Sequence, residues 1–194
     1  MITEEYLIAE LQNPTGVDSI LETSEQIIVQ GFPISVLFGL NFNKDRRISF
    51  RSAWVLEKIV WKDVNNIQPI LPQMLAKYNS IPNSSVARHY NKILIHLFEL
   101  RAKNKLPESL CKIIDLSNDE IIIEGCFKWI LTPKCPVAPL AWALEILLYY
   151  KDKHSWLKEE LSPIVQKLIL NGTPGMKNYG TKYLKRLTFS NCND

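Results

Sequence analysis

Three histidines, four cysteines and a few adjacent carboxylates are the residues of this chain whose types could do chemistry. His89 and His96 are seven residues apart, so on a helix they share a face but are separated by ~10.5 Å of rise. Metal ligands on a helix sit three or four residues apart, as in HExxH, and no carboxylate or cysteine lies between these two at such a spacing. Both are read as surface or boundary residues. His154 stands beside Lys153 and Ser155 in an expected loop, and no nucleophile, base and carboxylate can be grouped around it. Cys111, Cys126, Cys135 and Cys192 show no CxxC spacing. They are expected to be reduced thiols, buried where they fall within helices. Asp119-Glu120 and Glu159-Glu160 read as solvated helix faces, because a catalytic pair needs apolar surroundings that split its two pKa values. There is no GxGxxG, P-loop or GxSxG motif. Gly172 to Lys177 has glycines and a lysine at the wrong spacing for a P-loop and reads as a turn between helices. A metal- or nucleotide-dependent enzyme would have only these scattered residues behind it. No catalytic residue, metal ligand or cofactor is expected, and the chain is not expected to be an enzyme.

The basic residues suggest binding. Lys44, Arg46, Arg47 and Arg51 gather at the start of one expected helix, Arg88 starts another, and Lys177 starts the last. Arg46, Arg47, Arg51, Arg88 and Lys177 are the candidate partner-binding residues, able to meet phosphate or an acidic partner if they form a ridge. The competing reading is that the arginines hydrogen-bond neighbouring helices and hold the fold together. The net charge of +3 is too small for a dedicated nucleic-acid binder.

The elements that must carry these residues are helices. Val86, Tyr90, Ile93, Leu97 and Leu100 make one helical stripe, with Ser84 or Ser85 as its N-cap. Val137, Leu140, Ala141, Leu144 and Leu148 make a second, opened by Pro136. Leu157, Leu161, Ile164, Val165, Leu168 and Ile169 make a third that stops at Asn171-Gly172, and Pro163 must either kink it or lie in its first turn. Met176, Tyr183, Leu184 and Leu187 mark the last helix. Further helices are expected around Trp54, over residues 70–78, 108–116 and 119–131, and before these over 3–11, 18–30 and 34–42. The β-branched run Ile121-Ile122-Ile123 by itself favours a strand, but Cys126, Phe127, Ile130 and Leu131 continue a helical period. Joined by short linkers, the helices would form a string of antiparallel hairpins.

One five-residue segment recurs. Ala53-Trp54-Val55-Leu56-Glu57 returns 88 residues later as Ala141-Trp142-Ala143-Leu144-Glu145. Ser85 to Leu94 can be laid on Gly175 to Leu184, so that Lys92 meets Lys182 and Leu94 meets Leu184. Arg51 and Arg88 correspond at an offset of 37, and the third equivalent position is Pro139. Ala53 and Ala141 would admit a neighbouring helix while Trp54 and Trp142 fill the seam. Glu57 and Glu145 are not explained by apolar packing, and each could pair with a basic residue of an adjacent unit.

Arg51 to Ile59, the Pro136-Val137-Ala138 helix opening and Gly175-Met176-Lys177 resemble the HEAT-like helical repeat proteins, in particular a bacterial group of about this size. The resemblance covers residues 45–188. It implies an all-α, right-handed superhelix of stacked helical hairpins, armadillo-like in form, that acts as a scaffold. On this reading residues 1–194 are one repeat domain, with 1–44 as capping or degenerate helices and 189–194 as a flexible tail. The expected function is binding another macromolecule, a protein first, on an extended face. The alternative is nucleic-acid binding, by likeness to the HEAT-like alkylpurine DNA glycosylases, whose Trp, Asp and Arg cluster is similar in residue type to Trp54, Trp61, Asp63 and Arg51. No signal peptide or membrane-spanning run is apparent, and a cytoplasmic location is expected. The sequons at Asn83 and Asn171 would not be used there.

Overall fold

The computed structural model describes residues 2–13 and 16–188. Among them are eleven α-helices and two short 3₁₀ turns, and no strand, so the protein is all-α. The tail expected at 189–194, with Cys192, lies outside the described residues. The chain divides into two compact units, Met1–Gly125 and Cys126–Asp194.

The first unit contains α1 (Glu4–Gln12), α2 (Val17–Val29), α3 (Ile34–Leu40), α4 (Arg46–Lys62), a 3₁₀ turn Val64–Ile67, α5 (Leu71–Ala76), a 3₁₀ turn Tyr78–Ser80, α6 (Ser84–Ala102), α7 (Glu108–Asp115) and the start of α8 (Asp119–Leu131). Its centre is α4, which packs against α1, α2, α3 and α6. A helix with so many neighbours buries a wide part of its circumference and leaves one open stripe. Accordingly α4 buries apolar Ile48, Ala53, Val55, Leu56, Ile59 and Val60 together with polar Ser49, Ser52 and Glu57. The serines are small enough to admit neighbouring backbone. Ser52 Oγ donates to Ser49 O and accepts from Asn41 Nδ2 at 2.9 Å, so its hydroxyl is satisfied away from water. Opposite α4, α6 contributes Val86, Tyr90, Ile93, Leu94 and Leu97 to the core, each fully buried aliphatic side chain worth about 1.5–3 kcal/mol.

The helix ends have local causes. The N-cap of α6 is Asn83, not Ser84 or Ser85: its side-chain oxygen accepts from the N–H groups of Ser85 and Val86, both at 3.1 Å. The carboxamide therefore satisfies two orphan donors where a serine one residue later would satisfy fewer. Asp45 caps α4 through Arg47 N at 2.8 Å, and Thr3 caps α1 through Tyr6 N. At the C-terminal end of α2, Phe32 N reaches Ile27 O at 3.0 Å and Gly31 N reaches Ile28 O at 3.2 Å. This paired closure places Gly31 at φ 63°, which glycine adopts without a Cβ penalty. Asn104, at φ 53°, closes α6 by the same pattern.

The second unit contains the rest of α8, then α9 (Val137–Tyr150), α10 (Trp156–Asn171) and α11 (Pro174–Thr188). Helix α11 packs on both α9 and α10. Its Gly180 is required by that packing, since a Cβ there would come within 2.7 Å of Ile169 Cγ1. Pro163 lies in the interior of α10 and not in its first turn. Ile121 to Ile123 are helical, the 3.6-residue period having prevailed over β-branching. Among the described residues no helix is long and apolar enough to cross a membrane.

Candidate functional site

Glu57 is fully buried, with 0% exposure, in the middle of α4. An isolated carboxylate there would cost several kcal/mol, so its partners decide whether α4 can pack at all. Two residues one helical turn apart on α6 supply them. His89 Nδ1 lies 2.5 Å from Oε2 and Lys92 Nζ lies 3.0 Å from Oε1. A carboxylate only accepts, so the Nδ1 proton of His89 is the donor. Burial works against the charge on Glu57, but the hydrogen bonds and charges of His89 and Lys92 outweigh it and hold the carboxyl below its ordinary range. Burial pushes His89 down as well. Lys92 and Arg88 reinforce that, and together they exceed the pull of Glu57 toward protonation. The outcome is an ionised Glu57 facing a neutral imidazole.

His89 is thus a core residue, at 3% exposure, and not the surface or boundary residue expected from its spacing to His96. Its ring lies 5.3 Å from that of Phe50 and 6.0 Å from that of Trp54, nearly parallel to the latter. Nε2 is buried with no hydrogen-bond partner among the described residues. The sequence signal was available in the recurring Glu57. An apolar stripe that tolerates a carboxylate requires a cation or strong donor across the seam, and His89 and Lys92 are a pair at helical spacing on the facing stripe.

The second unit repeats the device with other residues. Glu145 of α9 accepts from the hydroxyl of Tyr179 at 3.2 Å and from Arg186 Nη1 at 2.8 Å, both on α11. The same hydroxyl lies 2.8 Å from Ala141 O. Tyr179 occupies the position that the sequence echo equates with His89. Burial, then the charge of Glu145, pushes the Tyr179 hydroxyl far above its usual range, so it stays a donor. Glu57 and Glu145 therefore both pair with basic residues of a neighbouring helix. Glu145 is the wetter of the two, its side chain 14% exposed and that of Arg186 55%.

One side of the α4–α6 seam reaches the surface. Trp61, 49% exposed, has Lys58 Nζ 5.2 Å and Lys92 Nζ 5.3 Å from its ring centroid. His96 stands 6.0 Å away from it. Another exposed feature of this unit is an apolar cleft of about 310 Å³ lined by Pro72, Leu75, Ile113, Leu116 and Ile121.

The basic residues singled out from sequence do not form one group. Arg51 donates to Leu11 O at 2.7 Å and also to Asn13 O, closing the C-terminal end of α1 and so fastening one helix to another. Arg47 is tied to Asp45 at 2.9 Å, and its guanidinium, through that hydrogen bond, brings the Asp45 carboxyl down to about 2. Arg46 and Arg88 are exposed. Lys177 is exposed in the other unit. Trp54, Trp61, Asp63 and Arg51 are not gathered either. Asp63 terminates α4 and caps the following 3₁₀ turn through Asn65 N at 2.9 Å, twelve residues beyond Arg51 and about 18 Å along the helix. Among the described residues no group of three or more His, Cys, Asp or Glu is placed to hold a metal ion. Cys126 is buried and Cys111 and Cys135 partly so.

No family model matches the chain, and neither does any curated protein or solved structure.

Proposed function

We propose that this protein is a non-enzymatic helical-repeat scaffold, HEAT-like in its stacking of hairpins, that binds another macromolecule, and that the partner is a protein. Trp61 carries the reading. The residues that recur between the two units are occupied in holding helices together, whereas Trp61 is half-exposed and backed by two lysines. Tryptophan is among the side chains enriched at the energetic centres of protein interfaces. The repeated Glu-centred pairing supports the helical-repeat part, because the same helix contact is built twice from a recurring sequence.

Nucleic-acid binding is the second reading, favoured by the exposed cations Arg46 and Arg88, which can meet phosphate. Affinity capture from cell extract on the tagged protein separates the two. Reproducible recovery of a protein that survives nuclease treatment supports the first reading. Recovery that is lost with nuclease and falls steeply with salt supports the second. Repeated recovery of nothing beyond a tag-only control overturns both.

A further inference from the structure

Two stripes of side chains flank the open side of the α4–α6 seam. On α4 these are Phe50, Trp54, Lys58 and Trp61, and on α6 they are Arg88, Lys92 and His96, all at three- or four-residue steps. The rings of Phe50 and Trp54 lie against His89 and the ring of Trp61 against His96, so the stripes form one surface. Its charge is one-sided. Glu57, the carboxylate within it, is fully buried and already answered by Lys92 and His89. The next cation along α4, Lys62, is used by Glu25 at 3.0 Å. Lys58 and Arg88 have no ion-pair partner among the described residues and remain to meet charge from outside. Glu99 bounds the stripe one turn beyond His96.

We propose that this α4–α6 face docks an acidic segment of a protein partner, with carboxylates on Lys58 and Arg88 and an apolar side chain against Trp61. The proposal rests on the protein-binding reading above. Charge complementarity identifies the occupant as acidic, and the geometry at Trp61 favours peptide over nucleic acid. Both ammonium groups approach the ring within 5.3 Å, where an incoming base would have to stack. A carboxylate needs only the ammonium groups, and the exposed part of the indole is left for an apolar neighbour. Lys92 is anchored at both Glu57 and Trp61, which holds the cation in place before any partner arrives.

Fluorescence anisotropy tests this with three labelled probes at about 20 mM salt, where screening is weak. They are a Glu-Glu-Leu repeat peptide, its Lys-Lys-Leu counterpart and a single-stranded oligo-dT. The acidic peptide should bind, weaken as salt is raised, and lose about tenfold or more in affinity in Lys58→Glu and in Trp61→Ala. Lys167→Glu, an exposed position in the other unit, should leave it unchanged. Circular dichroism melts establish that each variant is folded. Failure of the acidic peptide to bind overturns the proposal. So does binding that is indifferent to Lys58→Glu and Trp61→Ala, or oligo-dT binding as tight as that of the peptide. If the acidic peptide fails but Trp61→Ala still captures the wild-type protein partner from extract, this face is excluded and the scaffold reading stands.

Discussion

Tyr179 bears the same relation to Glu145 that His89 bears to Glu57. In each case a neutral donor on a later helix reaches across a seam to the glutamate of an Ala-Trp-x-Leu-Glu segment, with a basic residue beside it. The first pair is buried, and burial holds its histidine below the ordinary imidazole range. The second is wetter, and its tyrosine ionises far outside that range.

The difference predicts how the protein responds to acid. His89 is held below 6.5 in the folded state, so the unfolded chain binds its proton first. Stability from this group is complete above about pH 6.5 and is lost as pH falls from there toward the folded pKa, with a slope of at most about 1.4 kcal/mol per pH unit. Glu57, also depressed, adds a loss of the same sign below its unfolded value of 4.5. Thermal melts from pH 7.5 to 5 should show a falling Tm. His89→Asn, which keeps a donor near Nδ1 but cannot titrate, should be less stable at pH 7.5 and flatter with pH. An unchanged slope in His89→Asn would show that other groups set the acid response.

Removing the two glutamates should cost unequal amounts. Glu57→Ala leaves His89 and Lys92 without their acceptor in a dry seam, and a loss of about 3 kcal/mol is expected. Glu145→Ala breaks a pair whose arginine is largely in water, and about 1 kcal/mol is expected. Urea denaturation of both variants decides it. Equal losses would contradict the burial argument.

Two glycines should respond to alanine with opposite sign. Gly39 lies in α3 with nothing within 4 Å of a Cβ position, so Gly39→Ala should stabilise by about 0.5–1 kcal/mol through helix propensity. At Gly125 a Cβ would come within 2.6 Å of the ring of Tyr78 and 3.2 Å of Asn79 Cα. Tyr78 is itself buried and hydrogen-bonded to Asn91 and has little room to yield. Gly125→Ala should destabilise by about 1–3 kcal/mol despite the same propensity gain. The pair is read from Tm shifts in opposite directions.

Arg51→Ala should act locally. It removes the donors that close the last turn of α1, so amide exchange should quicken in α1 while α6 and α11 stay protected. Binding of the acidic peptide should not change. A loss of binding in this variant with α1 still protected would return Arg51 to the list of partner-binding residues.

Helix positions were legible because they depend on local rules. Apolar period, proline at helix openings and glycine or asparagine at stops placed every described helix to within a few residues. The Asn83 cap was missed because a serine and an asparagine are both good caps, and only the backbone turn selects between them. Arg51 and Arg88 looked equivalent in sequence, yet one fastens α1 and the other faces solvent. That outcome depends on which helix lies nearby, and α1 is remote in sequence.

What the sequence alone determined is the all-α class, the approximate span of each helix, and the recurrence of a glutamate where packing would call for an apolar residue. Only the tertiary structure decided what those glutamates do. Whether a carboxylate is stabilising or ruinous depends on its distance from a donor and on how much water reaches it. Both are properties of the seam between two helices, and for Glu57 the nearest partners lie 32 and 35 residues away. The same seam turned His89 from an expected surface residue into a neutral core donor, and left Trp61 and its lysines at the surface.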